Sequence, residues 1–62
     1  MFKEGQVIEL NDNNEYIIWK IKDQYIFLMT LKKPIAIIIT KYVNDKFEII
    51  NNNNKIKELL EK

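Results

Sequence analysis

Residues 25–39 constrain this chain more than any other stretch, because eleven of the fifteen are apolar and Lys32, Lys33 and Pro34 cut them into two halves. The first half reads Tyr25, Ile26, Phe27, Leu28, Met29, Thr30, Leu31, and the second reads Ile35, Ala36, Ile37, Ile38, Ile39. Each half is too short to cross a bilayer, and both are rich in the aromatic and β-branched residues that suit a pleated sheet. Neither half alternates, so each reads as a strand that is apolar on both faces. Such a strand has to bury both. A domain this small buries only about 60% of the surface its unfolded chain exposes, so material for two covers is short. That shortage points to association.

The remaining composition narrows the chemistry. The chain has no cysteine and no histidine, which removes disulfides, thiolate metal sites and the commonest general base. It has no serine either, so its hydroxyls are Thr30, Thr40 and three tyrosines. Nucleophilic triads need a base of the kind that is missing. The acids fall in turns, on polar strand faces and on the helix exterior, where carboxylates are ordinarily solvated. An enzyme is therefore not expected. The loop from Asn11 through Asp12, Asn13 and Asn14 to Glu15 lacks the ligand count and central glycine of a calcium site and reads as a turn. No cofactor or metal is expected.

Ten lysines against nine acids leave a formal net charge of +1, which marks neither a polyanion binder nor an acidic mimic of nucleic acid. All ten basic residues are lysine, and they accompany twelve isoleucines and eight asparagines, the protein-level trace of an A/T-rich coding sequence. The N-terminal residues lack the apolar core of a secretory signal, so a cytoplasmic location is expected, with no membrane partner.

Turn signals recur at short intervals, at 3–5, 11–14, 23–24, 32–34, 44–46 and 51–54, with apolar runs between them. This cadence predicts a mainly β (α+β) single domain over 1–62: a small five-stranded antiparallel meander, twisted or barrel-like, with one short C-terminal helix. The expected strands are 6–10, 15–22, 25–31, 35–43 and 47–50, and the expected helix is 54–62. Gly5, the only glycine, sits where a turn into the first strand needs a positive φ. Ile8 and Leu10 share one face of that strand, with Val7 and Glu9 on the other. In the second strand Ile17, Trp19 and Ile21 are expected to face inward, opposite Tyr16, Ile18, Lys20 and Lys22. Trp19 then reads as a core anchor. The turn at Asp23 and Gln24 lacks glycine, and a bulge is expected near it. Asn54 reads as the helix cap, Ile56, Leu59 and Leu60 as its apolar stripe, and Glu58 with Lys62 as a favourable i, i+4 pair.

The opening Phe2-Lys3-Glu4-Gly5-Gln6-Val7-Ile8-Glu9-Leu10, followed by Glu15-Tyr16-Ile17-Ile18, resembles the first hairpin of small SH3-like barrels, a likeness that covers about the first twenty residues. It implies a curled sheet and carries no functional residue across. The chain as a whole resembles short proteins of A/T-rich Gram-positive genomes and their phages.

Three functional expectations follow. The leading one is a non-catalytic protein-interaction module, self-associating as a homodimer through the part of the 25–39 faces that helix and barrel closure leave open, either Ile26 and Leu28 with Ile38 or the alternate set of side chains, with Ile26, Leu28, Ile38 and Leu59 as candidate contacts. The alternative is a nucleic-acid accessory protein that uses Tyr16, Lys20, Lys22, Lys32, Lys33, Lys41 and Tyr42, since aromatics beside lysines on a sheet are what single-strand binders use. The third is a phage- or plasmid-borne inhibitor of a host enzyme, for which genome neighbourhood is the deciding observation.

Overall fold

The computed structural model describes residues 2–10 and 12–61; Met1, Asn11 at the head of the expected 11–14 turn, and Lys62 with its expected pairing to Glu58 lie outside the described residues. Five strands, β1 (Val7–Glu9), β2 (Glu15–Lys22), β3 (Tyr25–Thr30), β4 (Ile37–Val43) and β5 (Lys46–Ile49), are followed by helix α1 (Asn53–Leu60). All neighbouring pairs are antiparallel and the sheet order is β1-β2-β3-β4-β5. The sheet curls into a half-barrel with β1 and β5 as its edges, so the expected meander with a C-terminal helix is the fold.

The turns form where short polar side chains tolerate left-handed backbone. Gly5 has φ 92°, as its place before β1 requires, and its N–H donates to the Ile18 carbonyl at 2.6 Å. Asn13, Asp23, Asn44 and Asp45 also have positive φ. Asn44 and Asp45 make the two-residue link from β4 to β5, in which two positive φ values match the strands' own twist.

The 31–36 connection is longer than expected, and β4 begins at Ile37 rather than Ile35. Pro34 cannot donate to a ladder, and Thr30 holds the loop closed. The Thr30 N–H donates to the Ala36 carbonyl at 3.0 Å, the Ala36 N–H donates to Thr30 Oγ1 at 2.8 Å, and that hydroxyl donates to the Pro34 carbonyl at 3.3 Å. Ile35 and Ala36 are thereby kept off the ladder.

One irregularity reorganises the sheet. Ile18 pairs with Leu28 and Lys20 with Phe27, so Trp19 is an extra residue bulged out of β2. Alternation restarts there. Tyr16 and Ile18, expected to face outward, are buried on the concave side with Ile26 and Leu28. Ile21, three residues beyond Ile18, packs on that same side, whereas Trp19 packs on the other. The expected inward set of Ile17, Trp19 and Ile21 is therefore corrected: the bulge separates Trp19 from Ile21.

Both faces of β3 are buried, by different covers. On the concave side Ile8, Leu10, Ile21, Ile38, Tyr42, Phe47 and Phe2 close around Tyr16, Ile18, Ile26 and Leu28. The rings of Phe2, Tyr42 and Phe47 form a tilted trio with centroids 4.8–5.3 Å apart. The buried Thr40 hydroxyl donates to the Ile26 carbonyl at 3.0 Å. On the convex side Phe27 and Ile39 pack beneath Leu59 of α1, with Trp19, Tyr25, Ile50 and Ile56 around them. The Trp19 and Phe27 rings meet edge to face at 5.4 Å.

Helix α1 has eight residues and could not persist alone, so this packing holds it. Its cap is Asn52, whose side-chain oxygen accepts the Lys55 N–H at 3.1 Å. Asn54, the expected cap, lies inside the first turn because the helix starts one residue earlier.

Candidate interaction surface

Cross-strand partners point to the same face of a sheet with their Cβ atoms about 5 Å apart, so register converts directly into surface. Val7 lies opposite Ile17, Ile17 opposite Met29, and Met29 opposite Ile37. These four aliphatic side chains form one row across β1, β2, β3 and β4, on the convex side that carries α1. The ends of the row are open: Val7 is 50% exposed and Ile37 51%, while Ile17 and Met29 are half-buried.

The helix misses this row for a geometric reason. Its apolar stripe rests on Phe27 and Ile39, which lie two residues along β3 and β4 from Met29 and Ile37. Two residues of strand are about 7 Å, and an eight-residue helix is only about 12 Å long. The last apolar residue of α1, Leu60, is 47% exposed and lines a cavity of about 230 Å³ together with Ile37, Ile49 and Ile56. Leu60 extends the row at its β4 end. Beyond it, Ile35 in the connecting loop is 62% exposed. At the border of the row, Glu9 and Glu15 face each other as exposed cross-strand partners.

The residues expected to carry self-association are largely covered. Ile26 and Leu28 are buried in the concave core, Leu59 is buried under α1, and Ile38 is half-buried against the concave cluster. Curling of the sheet covers the first two and most of Ile38, and the convex face covers Leu59, so these four do not make an exposed patch. The open apolar surface is the alternate set, centred on Met29 and Ile37. The outward placement of Val7 beside Glu9 was legible, but joining Val7 to Ile17 and Met29 requires the register.

The tyrosines and lysines expected to cooperate are also separated. Tyr16 and Tyr42 belong to the concave core. Lys22 and Lys41 flank Tyr25 on the convex side as its cross-strand partners, and Glu48 lies opposite Lys41. Lys20 sits with its ammonium 5.4 Å from the Phe27 ring centre, and the Lys55 ammonium lies 5.3 Å from that of Tyr25. Lys55 is also 3.8 Å from Glu58. Lys32 and Lys33 stand exposed in the 31–36 loop, at the opposite end of β3 from Tyr25. The expectation that Tyr16 shares a face with Lys20 and Lys22 is corrected, and its cause is again the Trp19 bulge.

Asp12 and Tyr16 form one coupled pair. The Tyr16 hydroxyl donates to Asp12 Oδ2 at 2.7 Å, and the Asn14 N–H donates to Asp12 Oδ1 at 3.0 Å. These bonds favour the carboxylate, so Asp12 is held below the ordinary value of 3.8, with the Tyr16 bond the main cause. The same bond raises Tyr16 above 10.0, because ionising the phenol would lose it beside a negative charge. The pair pins the β1–β2 turn onto the sheet. No group of three or more acidic side chains that could hold a metal ion occurs among the described residues. The buried Trp19 Nε1 has no acceptor.

Comparison with known protein families, characterised proteins and solved structures finds no match to this chain. No helix among the described residues is long and apolar enough to cross a membrane.

Proposed function

We propose that this chain is a non-catalytic protein-interaction module that self-associates, as a homodimer, through the Val7–Ile17–Met29–Ile37 row and the adjoining Leu60. The observation that carries this reading is the row itself: aliphatic side chains in register across four strands, half-buried in the middle and exposed at both ends. Singly scattered apolar residues are ordinary on a protein surface, whereas contiguous patches mark contact sites. A two-fold pair supplies the missing cover economically, since each copy presents the same surface to the other. The non-catalytic part of the reading rests on the side chains the chain lacks. A cytoplasmic setting belongs to the same proposal.

The test is the mass in solution across a concentration series, by light scattering or sedimentation. The expected result is a rise from the 7.5 kDa of one chain towards twice that value. A mass that stays at one chain throughout, up to high micromolar concentration, removes self-association.

A further inference from the structure

The two free edges of the half-barrel border one opening. Backbone parity fixes which of their groups are free. In β1 the Leu10 N–H donates to the Asn14 carbonyl and the Gln6 carbonyl accepts the Ile18 N–H, so by alternation Gln6, Ile8 and Leu10 are the residues whose backbone turns towards β2. The N–H and C=O groups of Val7 and Glu9 therefore point away from the sheet. In β5, the Ile50 N–H donates to the Ile39 carbonyl at 2.8 Å, which turns Ile50 and Glu48 towards β4 and leaves those of Phe47 and Ile49 pointing outward.

Between these edges lies a cavity of about 410 Å³, lined by Glu9, Leu10 and Asp12 on one bank and by Asp45, Lys46, Phe47 and Ile49 on the other. Ile49, although apolar and on the concave side, is 54% exposed and is one of its lining residues. Natural edges are usually blunted by charge, shortness or cover. Here β1 and β5 are short, but the opening between them keeps an aliphatic side chain and four unspent backbone positions.

Topology says what would fill it. In a five-stranded antiparallel meander the first and last strands run in the same direction. Direct closure would make a parallel pair, the weaker kind of ladder. One further strand, running the other way, is antiparallel to both edges at once. The rim adds a sign, since three carboxylates, Glu9, Asp12 and Asp45, face one ammonium, Lys46.

We propose that the opening between β1 and β5 is a strand-addition site for an extended peptide segment that alternates apolar and cationic residues. Main-chain bonds to Val7, Glu9, Phe47 and Ile49 would hold it, its apolar side chains would meet Leu10, Phe47 and Ile49, and its cations would meet the carboxylate rim. Strand addition of this kind draws affinity from the backbone and specificity from alternate side chains. The site meets the convex row proposed for self-association only at Val7, through its backbone rather than its side chain, and the Glu9, Phe47 and Ile49 amides are read by its test alone.

The probe is a capped peptide of sequence Lys-Val-Lys-Val-Thr-Val-Lys, titrated into the ¹⁵N-labelled chain. Saturable shifts and slowed hydrogen exchange are expected at the Val7, Glu9, Phe47 and Ile49 amides. Replacing the peptide's lysines by glutamates should weaken binding about tenfold at low salt, a difference of about 1.4 kcal/mol. N-methylation of alternate peptide amides should abolish it. Glu9→Lys with Asp45→Lys, both at exposed positions, should reverse the charge preference. The proposal is overturned if those four amides are unaffected at millimolar peptide, if the acidic peptide binds equally well, or if the shifts fall on Ile17, Met29 and Ile37 instead. Loss of self-association with peptide binding intact would count against the convex row alone.

Discussion

Truncating Leu59 to alanine tests whether α1 is the cover of the convex face or an appendage. Leu59 is buried, and it is the residue of the helix that closes over Phe27 and Ile39. A buried leucine cut to alanine loses about 3 kcal/mol from transfer and cavity terms together. A domain of this length has about 3–9 kcal/mol in all. The helix is too short to hold its shape unaided, so losing its main contact should release Ile56 as well. Leu59→Ala is therefore expected to remove a third or more of the stability, and to lower the melting temperature by at least about 12 °C at the usual 4–8 °C per kcal/mol for small domains. The assay is thermal and urea unfolding followed by circular dichroism and by Trp19 emission. Trp19 belongs to the same cluster and touches Phe27, so undocking should redden it. A loss below about 1 kcal/mol, the level of an ordinary surface substitution, with Trp19 emission unchanged would refute the assignment of α1 as cover.

Three further outcomes are expected. Ile37→Thr keeps a β-branched residue in β4 but removes about 1 kcal/mol of half-exposed apolar burial per chain, hence about 2 kcal/mol per two-fold dimer. The dimer dissociation constant should rise roughly 30-fold, read by sedimentation, with the melting curve of the monomer little changed. Gly5→Ala meets no atom in space but cannot relax its φ of 92°, so it should destabilise by about 1 kcal/mol in urea unfolding. Tyr16→Phe removes the main bond that lowers Asp12, and a carboxyl-detected titration should show Asp12 moving up towards 3.8. The sign follows from linkage: a depressed carboxyl stabilises the fold above its ordinary value, and the contribution fades as pH falls through the lowered one. Acid unfolding of the variant should accordingly lose that component, and an unmoved Asp12 titration would show that the Tyr16 bond is not its cause.

Much of the fold could be read from spacing. The five strands, the C-terminal helix and the role of Gly5 follow from short apolar runs set between residues that tolerate turns. The boundary errors have local causes, because the Thr30 clamp on Ala36 and the Asn52 cap are hydrogen bonds that residue types permit at several positions. The face errors have a single cause. Period-two reading of β2 is sound on either side of Trp19, but one extra residue reverses inside and outside, and no residue type in this strand announces it. That reversal puts Tyr16 on the opposite face from Lys20 and Lys22, in the core with Ile18 and Ile21.

By itself the sequence determined that residues 25–39 hold two strand-forming runs, broken at Lys32, Lys33 and Pro34, whose apolar residues fall on both faces, in a chain too short to cover them lavishly. Those facts depend only on local pattern and on the ratio of surface to volume. Which face is closed was decided by tertiary structure alone, since curl, bulge and helix placement are relations between distant segments. The curl seals Ile26 and Leu28, α1 seals Phe27 and Ile39, and register aligns Val7, Ile17, Met29 and Ile37 in a row that stays open at both ends and half-buried between.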